Sequence, residues 1–580
     1  MLLLALDSLL LLYITAGTGI CMIQILQKIF NQQVNVNSCG VILAGLVLST
    51  VYFNLVSFWL PVNYISLIPL FILSSVVFYT NNLLRVTFIA NVKKQILFLL
   101  QPQNLPIVIP VVVLLLYCWL LPPVNADSPG YHYATILWFE KYKVVPGLAN
   151  VNGWLAYNCT AFIIQAPYSF TGITGQSIYP LNGVLVGLLF LWVVTRALRN
   201  ASSLAGLVYF CLLYMFNRVL LCNMSSPTAD ILVICCLAYT FIQLFDALVA
   251  KKAAATYFIL PVVIIIYSIT AKLSAFPALV LLPFILWHLS KKQRVFPLLI
   301  KLFLLSLLIY IPWLCRNVIL SGYLFYPVPY IDIFTVDWKA PKSVLLFDYT
   351  NIKRLPINIY NGLMPKPAPF PHWVVPWVRR MAARGMYTDL GILFAAALSP
   401  FYWLISKVKN ASPPRQAFVY WFIVYACVWV WFVNVPEYRF GIVFLSFAIA
   451  LPFLYGAGLY TKTYRALPII LALLFITKTA WDIYHAPGQN NVYAFSLKKF
   501  VLFPLKDKGY YFNNNKTDFP YTMLNNDIKL YHQDLTHACL NADLPCMTWQ
   551  YGTIEMRGND MGDGFRNVQD DMDKNYKYDK

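Results

Sequence analysis

Apolar runs long enough to cross a membrane recur along most of this chain and restrict what it can fold into. Of its 580 residues, 60% are hydrophobic and only 11% are charged. Within a bilayer, only helices and closed barrels satisfy all of their backbone polar groups. The apolar runs have helical length, so they predict an all-α polytopic membrane protein with about 13–14 transmembrane helices.

Basic residues fall in alternate loops, which gives a topology by the positive-inside rule. The loops assigned to the cytoplasm contain Lys28, Arg85, Lys93, Lys94, Arg196, Arg199, Lys251, Lys252, Lys291, Lys292, Arg294, Lys407, Lys409, Arg415, Lys462 and Arg465. The outer face then receives the loops 122–180, 222–228 and 314–387, the turns near Lys272 and Glu437, the N-terminus and the tail from His485. The net charge of +20 is thus largely an orientation signal. Its remainder favours lipid head groups or phosphate-bearing substrates rather than nucleic acid.

The last part of the chain, 485–580, has few long apolar runs and is rich in Asn, Asp, Lys and Tyr. This composition predicts a small extracytoplasmic domain with a frayed end. Cys539 and Cys546 lie in this polar segment. They are candidates for a disulfide, because extracytoplasmic compartments are oxidising.

The first outer loop carries Asp127, His132 and Glu140 soon after the apolar run 105–121. Ionisable groups at the membrane boundary are costly, so they are functional candidates. Asp127 is the first candidate for a general base, because a partly desolvated carboxylate can take the proton of an attacking hydroxyl. The structural alternative is a turn residue in Asp-Ser-Pro. His132 is a candidate acid/base near neutral pH or a hydrogen-bond partner of the substrate, and its structural alternative is a satisfied interfacial histidine. Glu140 is a further catalytic candidate on an interfacial amphipathic helix, and its alternative is a place on the solvated face of that helix.

Three cations on the outer side suit a phosphate group. They are Lys272, Arg316, which follows the span 297–313, and Arg439. Arginine offers a planar fork for bidentate contact, and lysine offers a point charge. The alternative for each is snorkelling from a helix end to the lipid head groups.

Two further residues complete the substrate-binding candidates. Asp230 opens a later span, where it is either a binding residue or a partner of the helix dipole. Tyr131 belongs to the aromatic-rich stretch 131–168, where rings can stack on sugars. The sequence has no Walker loop, His-Glu-x-x-His motif or Cys-x-x-Cys pair, so ATP-driven transport and zinc chemistry lack support. No cofactor is expected and no metal ligand is assigned, with divalent metal left open.

An outer-loop carboxylate after a span, followed by an interfacial helical segment, resembles the GT-C superfamily of polytopic membrane glycosyltransferases. Members share a seven-span module with a catalytic Asp or Glu and two interfacial helices in its first outer loop. A second large outer loop follows the seventh span. The resemblance implies extra helices at 1–103, a GT-C-like core at 104–313 with outer loop 122–180, a large outer loop at 314–387, further spans at 388–484 and a tail domain at 485–580.

The chain also resembles an uncharacterised bacterial family of large membrane proteins. The stretches that carry this resemblance are Asp127–His132, Val145–Asn150, Lys272–Ser274, Arg316-Asn317, Ser321–Tyr323, Tyr326-Pro327, Pro436 and Arg439-Phe440. It implies a bacterial inner membrane, with the site on the periplasmic side. No Asp-Asp, Asp-Glu or Asp-x-Asp pair stands at the first outer loop, which favours a metal-free monophosphate donor over a metal-bound pyrophosphate.

The GT-C resemblance implies transfer of a sugar, with inversion, from a polyprenyl-phosphate donor to an extracytoplasmic glycan, lipid or protein. Asp127 would deprotonate the acceptor hydroxyl, while Arg316, Arg439 and Lys272 would hold the departing phosphate. One alternative is an O-antigen ligase- or polymerase-like transferase that uses a polyprenyl-pyrophosphate glycan. The other is a lipid or polysaccharide transporter, for which polar residues should spread through mid-membrane instead of clustering at one face.

Overall fold

The computed structural model describes residues 2–120, 125, 127–174, 177–200, 204–221, 223–249, 255–290, 295–358, 369–408, 415–456, 473–474, 477, 481, 520–524, 528–532, 543–547 and 553–569. The helices are α1 (Leu2–Phe30), α2 (Ser38–Val56), α3 (Leu67–Thr80), α4 (Asn82–Leu99), α5 (Leu105–Leu120), α6 (Tyr133–Lys141), α7 (Leu148–Val151), α8 (Thr160–Gln165), α9 (Thr171–Thr174), α10 (Pro180–Arg199), α11 (Leu204–Leu221), α12 (Ala229–Val249), α13 (Ile259–Ala271), α14 (Leu281–Ser290), α15 (Val295–Ser321), α16 (Lys342–Asn358), α17 (Val374–Ala383), α18 (Tyr387–Val408), α19 (Arg415–Asn434) and α20 (Tyr438–Gly456). A π-helical turn, Ser128–His132, runs directly into α6.

The chain is a mostly helical, membrane-embedded protein. Among the described residues, six helices are long and apolar enough to cross a membrane: α1, α2, α10, α12, α15 and α19. Residues 64–80 and 84–99 form a pair that passes the same test together, with a bend of 94° between its halves. Shorter apolar helices lie at 105–120, 259–271, 273–289 and 438–452. The predicted total of about 13–14 spans stays a prediction, since much of 457–484 lies outside the described residues.

The helices pack closely at small residues, as is typical inside membranes. A Cβ on Gly45 of α2 would lie 1.9 Å from the Thr15 carbonyl oxygen of α1. The helix α12 is the most enclosed of the candidate spans, with 89% of its apolar window buried. Its first turn carries Asp230, so this carboxylate enters the bundle on the helix that lies deepest in the protein.

Helix α15 continues beyond the predicted end of its span at residue 313 and ends at Ser321. Arg316 therefore lies within the helix, whereas the apolar run 297–313 predicted a position after the span. The polar residues that end the apolar run do not end the helix, because protein partners satisfy them. The Asn317 side chain donates to the Leu324 carbonyl at 2.9 Å, and Arg316 donates to Ser57 and Asn158.

Two small β units lie in the described parts of the C-terminal tail. Strands β1 (Tyr521–Met523), β2 (Lys529–His532) and β3 (Cys546–Met547) form a sheet in that order, antiparallel and then parallel. Strands β4 (Thr553–Met556) and β5 (Phe565–Gln569) form an antiparallel hairpin. Cys546 is disulfide-bonded, and Cys539, the other predicted disulfide candidate, lies outside the described residues.

The β4–β5 hairpin docks onto the loops that the topology assigns to the outer face. The Phe565 amide donates to the Pro146 carbonyl at 2.9 Å. The Arg557 guanidinium binds Asp337 through Nε at 2.7 Å and Nη2 at 3.2 Å, and it lies over the Trp338 ring at 4.7 Å. The hairpin and these two loops therefore lie on the same side of the bundle.

Replacing Gly147 by alanine should loosen this hairpin. Gly147 has a φ of +71°, and a Cβ there would lie 2.0 Å from the Phe565 carbonyl oxygen. We expect a local destabilisation on the order of 1–3 kcal/mol. The measurement is limited proteolysis with mass spectrometry, in which 553–569 should be cleaved faster in Gly147→Ala. Gly172→Ala is the matched control, because no atom lies within 4 Å of its Cβ position. Equal cleavage of all three proteins would contradict the docking.

Candidate active site

Five of the predicted site residues come together at one end of the bundle. The Lys272 ammonium lies 2.5 Å from Asp230 Oδ1. The Nη1 atom of Arg439 lies 3.2 Å from Asp230 Oδ2 and 3.1 Å from Asp127 Oδ2. His132 interacts electrostatically with these four charged groups. We refer to Asp127, Asp230, Lys272, Arg439 and their neighbour Glu437 as the charged cluster.

Asp127 is positioned through Asn125, which links it to the start of α12. The Asp127 amide donates to Asn125 Oδ1 at 2.9 Å. The Asn125 side chain donates in turn to Asn223 Oδ1 at 2.8 Å, and its amide donates to Ser226 Oγ at 3.3 Å. The first outer loop and the turn before α12 are thereby held together, with a carboxylate on each.

Asp230 follows a non-helical turn whose backbone is satisfied by buried amide side chains. Asn182 Nδ2 donates to the carbonyls of Ser226 at 2.6 Å and Thr228 at 2.9 Å. Gln165 Nε2 donates to the Pro227 carbonyl at 3.1 Å. Buried irregular backbone needs such partners. They fix where α12 begins and therefore where the carboxylate of Asp230 lies.

The two cations also lie at helix breaks. Helix α13 ends at Ala271, and Lys272 has extended backbone angles before a 3₁₀ segment, Leu273–Val280, begins. Arg439 is the second residue of α20, just after the turn that follows α19. The Trp431 indole donates to the Glu437 carbonyl in that turn at 2.9 Å. At each break the backbone leaves the regular helix. The long side chains of Lys272 and Arg439 can therefore reach Asp230.

His132 and Tyr131 form the aromatic side of the cluster. His132 Nδ1 hydrogen-bonds Ser128 Oγ at 3.1 Å, so its Nε2 is the nitrogen left for other partners. Tyr131 packs against His132 at 4.5 Å and Trp154 at 5.5 Å between ring centroids. Both side chains are buried, with His132 2% and Tyr131 9% exposed. The rings thus form one wall of the site.

Burial and charge set the protonation states of the two candidate acid/base residues in opposite ways. Burial raises the pKa of Asp127, but the positive charges of Arg439 and Lys272 outweigh it and hold the pKa below its ordinary value. Burial lowers the pKa of His132 to about 3, despite the nearby Asp127 carboxylate. At neutral pH, Asp127 is therefore ionised and His132 is neutral.

Glu140 lies away from the charged cluster, at the other end of α6. Eight residues of helix separate it from His132, which corresponds to about 12 Å along the axis. Its Oε1 accepts hydrogen bonds from Ser169 and from Thr171, the latter at 3.0 Å. Burial raises the pKa of Glu140 to about 7, with the Thr171 hydrogen bond opposing the rise. Glu140 and Asp127 are too far apart along this helix to act on the same reacting atom.

Arg316 is also separate from the cluster. It is 1% exposed, and its Nη1 donates to Ser57 Oγ at 2.5 Å and its Nε to Asn158 Oδ1 at 3.2 Å. Its guanidinium lies over the Phe139 ring at 4.7 Å. Phe139 is seven helical residues from His132, about 10 Å along the axis. The structure therefore does not bring Arg316 to the phosphate position predicted for it beside Arg439.

Sequence reasoning missed Glu437 and the uncharged residues that position the cluster. Glu437 Oε1 lies 3.5 Å from Arg439 Nε. The signal for Glu437 was its place two residues before Arg439 in an outer turn. Asn125 and Ser128 had no comparable signal, because isolated Asn and Ser residues near a turn usually serve as local caps. Within the described ranges, no group of three or more His, Cys, Asp or Glu is arranged to hold a metal ion.

Residues 1–446 match the model of a family described as a domain of unknown function (DUF8201). The chain belongs to this family. No curated protein and no solved structure matches the chain. The family region contains every residue of the charged cluster, and it ends before the C-terminal strands β1–β5.

Glu140 should make the stability of the protein depend on pH. Its pKa is raised from 4.5 to about 7 in the folded state, so folding favours the protonated carboxyl. This contribution is fully present below about pH 4.5 and is lost as the pH rises through about 7. Glu140→Gln should remove a fall on the order of 3 kcal/mol in unfolding free energy across that window.

The measurement is the apparent midpoint of thermal unfolding in detergent from pH 4.5 to 8. Glu555→Gln, at an exposed carboxylate paired with Arg566, is the control. An unchanged pH slope in Glu140→Gln would contradict the burial assigned to this carboxyl.

Proposed function

We propose that this protein is a membrane glycosyltransferase. It transfers a sugar from a polyprenyl-monophosphate donor to an extracytoplasmic acceptor, a glycan, lipid or protein, with inversion. The observation that carries the proposal is the contact of Asp127, an ionised carboxylate, with Arg439 beside Asp230 and Lys272. A base next to cations at the end of a membrane bundle suits the transfer of a group away from a lipid phosphate.

In the proposed reaction, Asp127 takes the proton of the acceptor hydroxyl. The acceptor oxygen forms a bond to the anomeric carbon on the face opposite the phosphate. The bond between that carbon and the phosphate oxygen breaks, and its electron pair leaves with the polyprenyl phosphate. Arg439 and Lys272 stabilise the charge that develops on this phosphate. His132 is neutral, so its role is to hydrogen-bond the bound sugar.

The cluster holds more negative than positive charge before a substrate binds. Asp127, Asp230 and Glu437 contribute three carboxylates, against the two cations Lys272 and Arg439. A phosphate must therefore compete with a carboxylate for its cation. Asp230 is 5% exposed and held by both cations, whereas Asp127 is 40% exposed and held by Arg439 alone. The phosphate displaces the weaker contact, between Arg439 and Asp127.

Displacement of Asp127 from Arg439 by the donor phosphate changes the basicity of Asp127. The positive charge of Arg439 helps to keep the pKa of Asp127 low, and a low pKa makes a weak base. When the donor phosphate takes Arg439, Asp127 loses that influence and its pKa rises. Asp127 thus becomes a better base only when the donor is present. The same step frees the carboxylate to turn towards an acceptor hydroxyl.

An extracytoplasmic site is supported by features elsewhere in the chain. Cys546 is disulfide-bonded in the tail, as is typical of oxidising compartments. The tail hairpin docks near Pro146 and Asp337, on loops that the predicted topology assigns to the outer face. Arg439 and Lys272 belong to turns of the same parity, against the positive-inside bias. Because the positive-inside rule expects few cations on this face, their presence here favours a site that binds an anion.

Asp127→Asn should abolish sugar transfer while leaving the fold intact. Loss of a general base lowers a rate by about 100- to 10,000-fold. The measurement is transfer by purified protein from a panel of polyprenyl-phosphate hexoses and pentoses, followed as release of lipid phosphate. Donors with a pyrophosphate link form a second panel, since activity restricted to them would favour the ligase- or polymerase-like alternative. Transfer retained by Asp127→Asn would overturn the assignment of the base.

The competition between phosphate and carboxylate gives a separate prediction for binding. Asp127→Asn should bind polyprenyl monophosphate more tightly than wild type, by roughly five-fold, because one partly exposed ion pair no longer competes. Arg439→Gln should bind it roughly ten-fold more weakly, because a charge-assisted hydrogen bond is lost. Calorimetric titration in detergent measures both affinities.

Asp332→Asn is the matched control for the binding experiment, because Asp332 is an exposed carboxylate paired with a different cation, Lys339. Its affinity for the lipid should equal that of wild type. Weaker binding by Asp127→Asn would show that Asp127 does not compete with the phosphate. An unchanged affinity in Arg439→Gln would remove the donor phosphate from this site.

A further inference from the structure

A narrow cleft with an internal volume of about 20 Å³, open to solvent on one side, lies between α6, the segment that follows it and the end of α15. Its lining is mainly apolar, with three groups that carry N–H donors. The lining residues are Thr135, Trp138, Phe139, Lys143, Val144, Val145, Leu148, Leu155, Arg316 and Leu320. The proposed sugar transfer does not use this cleft.

The guanidinium of Arg316 is the main charge in the cleft. Its partners are the Ser57 hydroxyl, the Asn158 amide oxygen and the Phe139 ring, all of them uncharged. Across the part of the chain that the structure describes, no carboxylate pairs with Arg316. Buried charges are normally paired, because an isolated ion loses its hydration without compensation. This arginine therefore lacks the counter-ion that its burial requires.

A second donor in the cleft also lacks an acceptor. Trp138 is 3% exposed, and among the described residues its Nε1–H group has no hydrogen-bond partner. A buried indole N–H usually finds an acceptor. The Thr135 hydroxyl is already used, since it donates to the Tyr131 carbonyl at 2.7 Å. Lys143 is exposed and adds a positive charge at the cleft.

We propose that this cleft is a second anion site, which binds the phosphate head of an amphiphilic molecule. Arg316 and Trp138 donate to the head group, and Lys143 contributes charge at the mouth. The apolar part lies against Val145 and Leu148 and their aliphatic neighbours. The residues that line the cleft supply hydrogen-bond donors, and none of them is a carboxylate. Such a lining suits an anion and not a cation.

This second site is distinct from the charged cluster. None of the residues that line the cleft belongs to the charged cluster. The two sites also differ in charge. Arg439 is shared among carboxylates, whereas Arg316 has none. The proposal does not depend on sugar transfer, because the unpaired donors of the cleft require an anion whatever the reaction at Asp127.

The test is calorimetric titration of the purified full-length protein, in a non-ionic detergent, with dodecyl phosphate. The Arg439→Gln protein isolates the cleft, and we expect it to bind one equivalent. Adding Arg316→Gln should abolish this binding. Adding Trp138→Phe, which keeps an aromatic ring and removes only the N–H donor, should weaken it roughly 10- to 100-fold. Trp138→Phe keeps the test valid if Arg316→Gln fails to fold.

Two matched variants control for indirect effects. Trp119 also has an Nε1–H without an acceptor among the described residues, and it does not line the cleft. Arg199 lies over an aromatic ring, Phe98, as Arg316 lies over Phe139. Trp119→Phe and Arg199→Gln, each in the Arg439→Gln protein, should bind dodecyl phosphate as the parent does.

Inorganic phosphate is the second probe, and it distinguishes a lipid head group from a free ion. Weaker binding of inorganic phosphate than of dodecyl phosphate supports the amphiphile, and equal binding overturns it. Dodecyl phosphate binding that is absent in Arg439→Gln, or unaffected by both Arg316→Gln and Trp138→Phe, overturns the site. Each single variant is also compared with wild type. If Arg316→Gln loses one equivalent of bound dodecyl phosphate and Arg439→Gln loses none, the result supports the cleft and removes the donor phosphate from the charged cluster.

Discussion

The geometry of the charged cluster depends on Asp230, which is held between Lys272 and Arg439 on the most enclosed helix of the bundle. A carboxylate in this position is stable only if cations reach it, since the loss of hydration must be offset by close pairing. Two separate elements, the break after α13 and the start of α20, are therefore constrained to meet the start of α12. Asp127 joins this arrangement last, through the same Nη1 atom of Arg439. The position of Asp127 therefore depends on the Lys272–Asp230 and Arg439–Asp230 contacts, in which Asp127 takes no part.

The breaks that free these side chains are as important as the charges. Non-helical backbone inside a membrane protein requires hydrogen-bond partners from the protein itself. Asn182 and Gln165 provide them at the turn before α12, and Asn125 ties the first outer loop to that turn. These neutral amides hold the backbone in a shape that a regular helix would not allow. The charged residues then occupy positions that the amides have fixed.

Apolar run length and loop parity were enough to predict a helical membrane protein and to assign Asp127, Asp230, Lys272 and Arg439 to one face. Hydropathy predicts where along a helix a residue lies, but not in which direction around the helix axis its side chain points. That direction decides whether two side chains meet. Arg316 shows the difference. It lies at the expected end of its span, but α15 continues past it and its side chain points to Ser57 and Asn158. Glu140 likewise lies on a helix, as expected, but α6 carries it about 12 Å from His132 along the helix axis.

The two arginines also differ in what they can contribute to an enzyme. Arg439 is already satisfied by carboxylates, so a phosphate in the ground state gains little by replacing one of them. In the proposed transfer, the gain increases as the glycosidic bond breaks and charge builds on the departing phosphate. Interactions that strengthen only in the transition state raise the rate, whereas equal binding of both states only tightens the substrate. A cation that is already shared among carboxylates is therefore suited to the proposed catalysis. Arg316, which has no carboxylate partner among the described residues, is suited to holding an anion tightly. The proposed division between a reacting site and a binding site therefore follows from where the described carboxylates lie.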